Sequence, residues 1–272
     1  MWFVEELANS KLSPYQRWVI GAELGWLGDP RPGVGLQENG LPDIAWCHIP
    51  AGKFVYGDAK TKQGTIEIEL PDFFMAMYPI TNAQFDVFVN AADGFVNDTW
   101  WHGLAIREKN LKEPEFSLPN CPRENVNWYD AVAYCRWLTD KLGREIRLPT
   151  EYEWEKAARG TDERTYPYGS EFEFMKCNTE EAGLQKTSSV GIFPEGASPY
   201  GVHDVCGNVC EWCLNDYNDL QNVSTEGELP RPNRGGAWSD QQQDATATNR
   251  YSIYAGDAWN YSGFRVLTTS RL

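Results

Sequence analysis

Apolar positions keep a helical rhythm at the start of the chain and then lose it. Ser13 and Pro14 read as an N-cap and first helical residue, and Trp18, Val19, Ala22 and Trp26 follow on one face until Gly28-Asp29-Pro30 stops the pattern. Residues 30–43, dense in proline and glycine, read as a linker. From Trp46 the period shortens to two. Residues 49–56 and the alternating Thr65-Ile66-Glu67-Ile68-Glu69-Leu70 read as strands.

Three further helices announce themselves by their caps. Thr81-Asn82-Ala83-Gln84 is a capping box opening a helix to about Ala92, with Phe85, Phe88 and Val89 on its apolar face. Asn127 caps a second that carries Trp128, Ala131, Val132, Cys135, Leu138 and Leu142 on one stripe and stops at Gly143. Thr150-Glu151-Tyr152-Glu153 opens a third that ends near Gly160. Beyond Gly160 no helical period lasts more than a turn, and the chain reads as loops and short strands. The whole is a mixed α+β chain: residues 1–45 a helical extension and linker, residues 46–272 the main domain.

Charge narrows the function classes. The 272 residues hold 24 Lys+Arg against 39 Asp+Glu, a formal charge of −15, which repels nucleic acid and anionic membrane at long range. No apolar run approaches the roughly 18 residues of a membrane span, and the start lacks the basic and apolar regions of a signal peptide, so the expected compartment is the cytoplasm. Seven unevenly spaced cysteines fit reduced thiols better than a disulfide framework.

A series of ordered blocks then carries a resemblance. Ile49-Pro50-Ala51-Gly52-Lys53-Phe54, Pro79-Ile80-Thr81-Asn82-Ala83-Gln84-Phe85, Val126-Asn127-Trp128-Tyr129-Asp130-Ala131, Arg147-Leu148-Pro149-Thr150-Glu151-Tyr152-Glu153-Trp154-Glu155, Gly207-Asn208-Val209-Cys210-Glu211-Trp212, Arg234-Gly235-Gly236-Ala237-Trp238 and Gly263-Phe264-Arg265 resemble the formylglycine-generating enzyme (sulfatase-modifying factor) family. The resemblance implies a C-type-lectin-like single domain: a twisted antiparallel sheet, two main helices and extensive loops. The segment through Leu27-Gly28-Asp29-Pro30-Arg31-Pro32-Gly33-Val34 looks like the connector that joins such domains to upstream modules in multidomain bacterial proteins, so an upstream signalling module or a partner chain is expected.

The resemblance does not extend to the family's chemistry. In its enzymes two cysteines five apart, just after the Arg-Gly-Gly motif, bind copper, and a soft Cu(I) ion needs those thiolates. The corresponding positions here are Asp240 and Ala245, and no cysteine follows Cys213. The parental oxidation is therefore not expected, nor is any required cofactor. Iron-dependent sulfoxide synthesis would need a histidine triad, and the chain has only His48, His102 and His203.

Other candidate sites compete with plain structural readings. His203, Cys206, Cys210 and Cys213 have a spacing that suits zinc, but buried structural thiols are the preferred reading. The resemblance places structural calcium at Asn178, Asn208 and Glu211, against which stand ordinary loop hydrogen bonds. Glu151, Glu153, Glu155, Asp162 and Glu163 are expected on a solvated face rather than as acid–base pairs, and Arg265 as a buried scaffold residue.

The stretch 251–262, Tyr-Ser-Ile-Tyr-Ala-Gly-Asp-Ala-Trp-Asn-Tyr-Ser, holds no Lys, Arg or Glu and shows neither strand nor helix period. Rigid aromatics among small polar residues are the composition of a binding surface. Position sharpens this, since the closing region of a C-type-lectin-like domain faces ligand. The pattern resembles the variable proteins of diversity-generating retroelements, in which adenine-specific mutagenesis rewrites asparagine-type codons. Residues 239–240 and 251–262 mostly belong to the set reachable that way, and Trp259 does not. The expected ligand-binding residues are Trp238, Ser239, Asp240, Tyr251, Ser252, Ile253, Tyr254, Asp257, Trp259, Asn260, Tyr261 and Ser262, and the expected partner is a protein. The alternative is a family oxidoreductase working through other residues.

Overall fold

In the computed structural model, which describes residues 2–60, 64–107 and 111–270, two helices open the chain: α1 (Trp2–Leu7) and α2 (Pro14–Leu27). The second starts where its signals say. The Ser13 hydroxyl accepts the Gln16 N–H while the Gln16 side chain accepts the Ser13 N–H, closing a capping box. The first was not expected, because it carries no cap of its own. Burial explains its presence: Leu7 and Leu12 join Ile20 and Leu24 of α2 in an apolar cluster with Leu184, Ile192 and Phe193. Arg17, buried between them, donates to the carbonyls of Leu7, Asn9 and Ile192.

Residues 30–43 are more firmly held than a linker would be. Val34 is buried, its carbonyl accepts the Thr81 hydroxyl, and Gln84 donates to the carbonyls of Gly33 and Asp43. Proline and glycine here fix a bent path, and the capping side chains of the next helix bind it down.

Four strands follow: β1 (Trp46–Ile49), β2 (Gly52–Asp58), β3 (Gly64–Leu70) and β4 (Phe73–Ala76). The expected single strand over 49–56 is two, because the chain breaks at Pro50-Ala51. On one side of the break β1 pairs with β4, and on the other β2 pairs with β3, both antiparallel. Helices α3 (Asn82–Asn90) and α5 (Glu151–Arg159) begin with the expected capping boxes, and α4 (Trp128–Leu142) with the expected cap Asn127, which closes a box with Asp130. Around α4 the aromatic surplus becomes core. Trp128, Tyr134 and Trp137 pack with Phe85, Phe88 and Phe264, all at most 1% exposed.

The last five strands are short: β5 (Cys210–Trp212), β6 (Pro230–Arg234), β7 (Arg250–Tyr254), β8 (Ser262–Gly263) and β9 (Leu267–Thr268). β9 closes a three-stranded sheet of order β1-β4-β9, and the others form a sheet of order β7-β6-β5-β8. Its β5–β8 pair is parallel, a departure from the all-antiparallel expectation. The mixed α+β class, with few helices, small sheets and long connections, is the one expected from the sequence. Among the described residues no helix is long and apolar enough to cross a membrane.

Two electrostatic expectations need separating. Asp162 and Glu163 are exposed, but Glu151, Glu153 and Glu155 of α5 are buried, not solvated. The guanidinium of Arg234 lies between Glu151 and Glu155 at 2.8 and 2.6 Å, and Arg250 takes both oxygens of Glu151 at 2.9 and 2.5 Å. Helical rise places Glu151 and Glu155 on one face, and that face meets two arginines distant in sequence. This ionic layer braces the strands β6 and β7 from beneath.

Candidate ligand-binding site

Strand pairing decides what the other face of that sheet presents. In the register of β7-β6-β5-β8, Tyr251 lies opposite Asn233, Asn233 opposite Trp212, and Cys210 opposite Ser262. Side chains alternate along each strand, so Tyr251, Ile253, Asn233, Cys210 and Ser262 share one face while Arg250, Arg234 and Glu211 take the face braced by α5. Segment 251–262 therefore does have a strand at its start. Its side-chain pattern concealed it, because Tyr-Ser-Ile-Tyr puts an aromatic on each face and so shows no apolar-against-polar alternation.

A cavity of about 140 Å³ opens on this face, lined by Cys210, Asn233, Asp240, Tyr251, Ile253, Tyr261 and Ser262. Asp240 reaches it from a turn that its own carboxylate closes, since Oδ2 accepts the Ala237 N–H at 2.9 Å and the Cys210 thiol at 3.7 Å. The turn is held from below. Its carbonyl at Asp240 accepts the Glu180 N–H, and Trp238 N–H donates to the Asn208 carbonyl. Burial raises the Asp240 carboxyl above the ordinary carboxylate range, and burial together with the neighbouring Asp240 drives the Cys210 thiol far up.

The remaining candidate residues spread around the cavity. Trp259 stacks on Tyr261 with ring centroids 5.8 Å apart and is 44% exposed. Asp257 and Trp259 also line a second cavity of about 220 Å³ with Leu111, Lys112, Asn125, Asn127 and Asp130. Trp238 packs edge-on against Phe116, and its indole donates to the Asn260 carbonyl. Asn260 in turn donates to Glu115. Ser239 is exposed on the turn. Three residues depart from a single surface: Ser252 and Tyr254 point to the opposite face of β7, and Ser262 is fully buried, its hydroxyl accepting from Asn233.

Asn233 went unnoticed in the sequence because it sits inside the Pro-Arg-Pro-Asn-Arg run, where nothing marks it. Only the pairing with Tyr251 brings it to the cavity. A larger cavity of about 630 Å³ lies on the far side, between the β2–β3 hairpin and the Gln243–Arg250 loop, and no sequence signal pointed to it either.

The metal candidates fall apart in space. Cys206 packs in one cluster with Cys177, the Tyr168 hydroxyl lying 3.6 Å from the Cys177 sulfur and 3.9 Å from that of Cys206, while Cys210 faces Asp240 and Cys213 packs with Trp154 and Leu267. His203 stands beside Tyr78, and burial with Arg265 and Arg31 nearby lowers its pKa to about 4. The spacing of the four residues suited zinc, but the backbone sends them in different directions.

The calcium set divides too. Asn178 and Asn208 are adjacent, and Asn208 Oδ1 accepts the Ser188 N–H at 2.9 Å. Glu211 is elsewhere engaged: its oxygens accept from Arg265 at 2.6 and 2.5 Å and from the Trp154 indole at 2.8 Å. The Glu211 carboxylate is thus occupied by a buried guanidinium, while Asn178 Oδ1 is buried with no partner among the described residues. Among the described residues no three His, Cys, Asp or Glu side chains converge as a metal site.

The fold and the placement of this face define a lectin-like domain of the sulfatase-modifying type. Over residues 38–270 the sequence matches the family described as sulfatase-modifying factor enzyme 1-like domain, and the chain belongs to that family. It is 30% identical over 274 residues to the inactive C-alpha-formylglycine-generating enzyme 2 of Mus musculus, covering 80% of this chain and 82% of that protein. It is 31% identical over 260 residues to the serine/threonine-protein kinase pkn1 of Chlamydia pneumoniae, covering 87% of this chain but only 39% of that protein's length. Among solved structures, Treponema denticola variable protein 1 matches with a TM-score of 0.67 at 21% identity over 84% of this chain and 96% of that one. PvdO from Pseudomonas aeruginosa gives the same score at 23% identity over 88% and 99%. At such identities these likenesses establish the fold.

Proposed function

We propose that this chain is a non-catalytic ligand-binding protein, displaying a variable surface on a lectin-like scaffold, with a protein as its ligand. The observation that supports this reading most directly is the convergence of Asp240, Tyr251, Ile253 and Tyr261 on one solvent-reaching cavity, flanked by the stacked Trp259, above a sheet braced by buried ion pairs. A rigid frame under adaptable, aromatic-rich positions suits recognition of many partners in turn. The family contains members described as inactive, and this sequence has Asp240 and Ala245 where the resemblance places the copper-binding cysteines. The expected setting is the cytoplasm, where thiols stay reduced, with an upstream signalling module or partner chain alongside.

The test is genetic. Copies of the gene from many cells of one population are sequenced together with the flanking DNA. Substitutions concentrated in codons 239–240 and 251–262, beside a near-copy template repeat and a reverse transcriptase, support the reading. Uniform conservation of those codons across the population overturns it.

A second reading, a family oxidoreductase working through other residues, has one observation in its favour: Cys210 supplies a thiol to the cavity floor beside Asp240. Its strongly raised pKa keeps that thiol protonated and therefore poor as nucleophile or metal ligand. Oxygen consumption by the copper-treated protein with a cysteine-containing peptide would establish this second reading in place of the first.

A further inference from the structure

The cavity between Tyr251 and Tyr261 has a definite chemical bias. We propose that it is a socket for the cationic tip of one basic side chain, lysine or arginine, projecting from the protein ligand. The inference rests on the binding-surface reading above and specifies what that surface selects.

Volume comes first. About 140 Å³ is well below the roughly 300–1,000 Å³ of cavities that enclose whole small molecules, but it admits the head and last methylenes of a single long side chain. The walls suit such a tip. Ile253 and the side chains of Tyr251 and Tyr261 line it with apolar surface for methylenes, and tyrosine rings attract a cation by their quadrupole.

The polar groups on this lining favour donors from the ligand. Asp240 brings a carboxylate whose Oδ2 already accepts from Ala237 and Cys210 and whose Oδ1 accepts nothing from the described residues. Asn233, 1% exposed, spends its amide N–H on Ser262 and leaves Oδ1 buried with no partner among the described residues. The acceptor open to a ligand N–H is therefore the Asp240 carboxylate. An ammonium or guanidinium is rich in donors and has no acceptor, so it complements this lining better than a hydroxyl or carboxylate does.

The surrounding field has the same sign. Asp244 acts on Asp240, and Asp240 and Asp257 act on Tyr261, while Lys112, whose ammonium bonds the Ala258 carbonyl, stands on the far side of Trp259 in the second cavity. Of the basic residues of this sheet, Arg234 and Arg250 face the opposite side and are paired with Glu151 and Glu155, while Arg231, opposite Ile253, is buried and spends its guanidinium on the carbonyls of Leu214 and Ser224. The chain as a whole carries −15. An anionic ligand tip would be repelled by Asp240 and Asp244, and a neutral donor would pair with Asp240 without the charge assistance that an ammonium or guanidinium brings.

Agmatine, which carries a guanidinium on a four-carbon stem, is the probe, with n-butanol and glutarate as neutral and anionic counterparts. They are titrated into the full chain while the Ile253 methyl and the tyrosine rings are followed by NMR. Agmatine is expected to shift Ile253, Tyr251 and Tyr261, with n-butanol and glutarate at least tenfold weaker. Asp240→Asn should weaken agmatine at least fivefold, and Tyr261→Leu, which keeps apolar bulk but removes the ring, should weaken it independently. Agmatine binding no better than n-butanol overturns the socket, as does mapping of its shifts away from Ile253 or indifference to both exchanges. None of those results touches the binding-surface reading, which is decided by the codon survey.

Discussion

The guanidinium of Arg265 grips both carboxylate oxygens of Glu211, at 2.6 and 2.5 Å, with neither side chain in contact with water. The pair ties the strand carrying Cys210 to the chain after β8, and Arg265 also donates to the carbonyls of Ala76, Met77 and His203. Breaking a buried pair leaves one charge without a partner. Glu211→Ala should therefore destabilise the protein by about 3–5 kcal/mol in urea unfolding. A loss below about 1 kcal/mol would mean that Arg265 finds enough partners without it.

Acid–base behaviour should show at Glu124. Its side chain is buried, its Oε1 accepts the backbone N–H groups of Glu115 and Phe116, and burial raises its pKa to about 6. A carboxyl whose pKa is higher folded than unfolded binds its proton more tightly in the native state. The stability it confers is present below about pH 4.5 and is lost as pH rises through about 6. Glu124→Gln should remove that slope and make the protein roughly 1–2 kcal/mol more stable than wild type at pH 7.5. Parallel pH profiles of the two proteins from 4.5 to 7.5 would refute the assignment.

Gly207 supports the base of the candidate site. Its φ of 78° is left-handed, and a Cβ there would stand 2.2 Å from the Asn178 carbonyl oxygen. Gly207→Ala should cost about 2 kcal/mol or more, measured by thermal melting, because backbone cannot yield as a flexible side chain does. A melting point unchanged within a degree would show that the loops relax freely.

The scattered positions of His203, Cys206, Cys210 and Cys213 predict their chemistry. Metal analysis of the purified protein should find no stoichiometric zinc, and a chelator should leave the melting temperature where it was. The native chain should react slowly with a thiol reagent, since all seven cysteines are buried, and release seven thiols once denatured. One zinc per chain, lost with a drop in stability, would contradict this geometry.

Tyrosines three apart should respond differently to truncation. Tyr254 is 43% exposed and its hydroxyl donates to Glu228 at the surface, so Tyr254→Ala should cost less than about 1 kcal/mol. Tyr251 is half-buried in the cavity wall, and Tyr251→Ala should cost about 1–2 kcal/mol. Equal effects in denaturant unfolding would mean that β7 does not alternate as described.

The helices were legible because their causes are local. A capping side chain bonds a backbone group three residues away, and Ser13, Thr81, Asn127 and Thr150 each do so where the sequence says. The family blocks were legible for a similar reason, being ordered runs of adjacent residues. Helix α1 was not, since its short turn is held by Leu184, Ile192 and Phe193, which lie far along the chain.

The same division runs through the candidate site. Composition together with position marked 251–262 as a candidate binding segment. Whether Tyr251 and Tyr254 share a surface depends on β7 pairing with β6, and whether Glu151 is solvated depends on Arg234 and Arg250 arriving beneath it. Hydrogen bonds across strands and ion pairs across 80 or more residues arise from chain closure, whose outcome depends on every packed element at once. The sequence by itself determined the caps, the charge and the aromatic segment; only the tertiary structure decided that Asn233 and Asp240 meet that segment around one cavity.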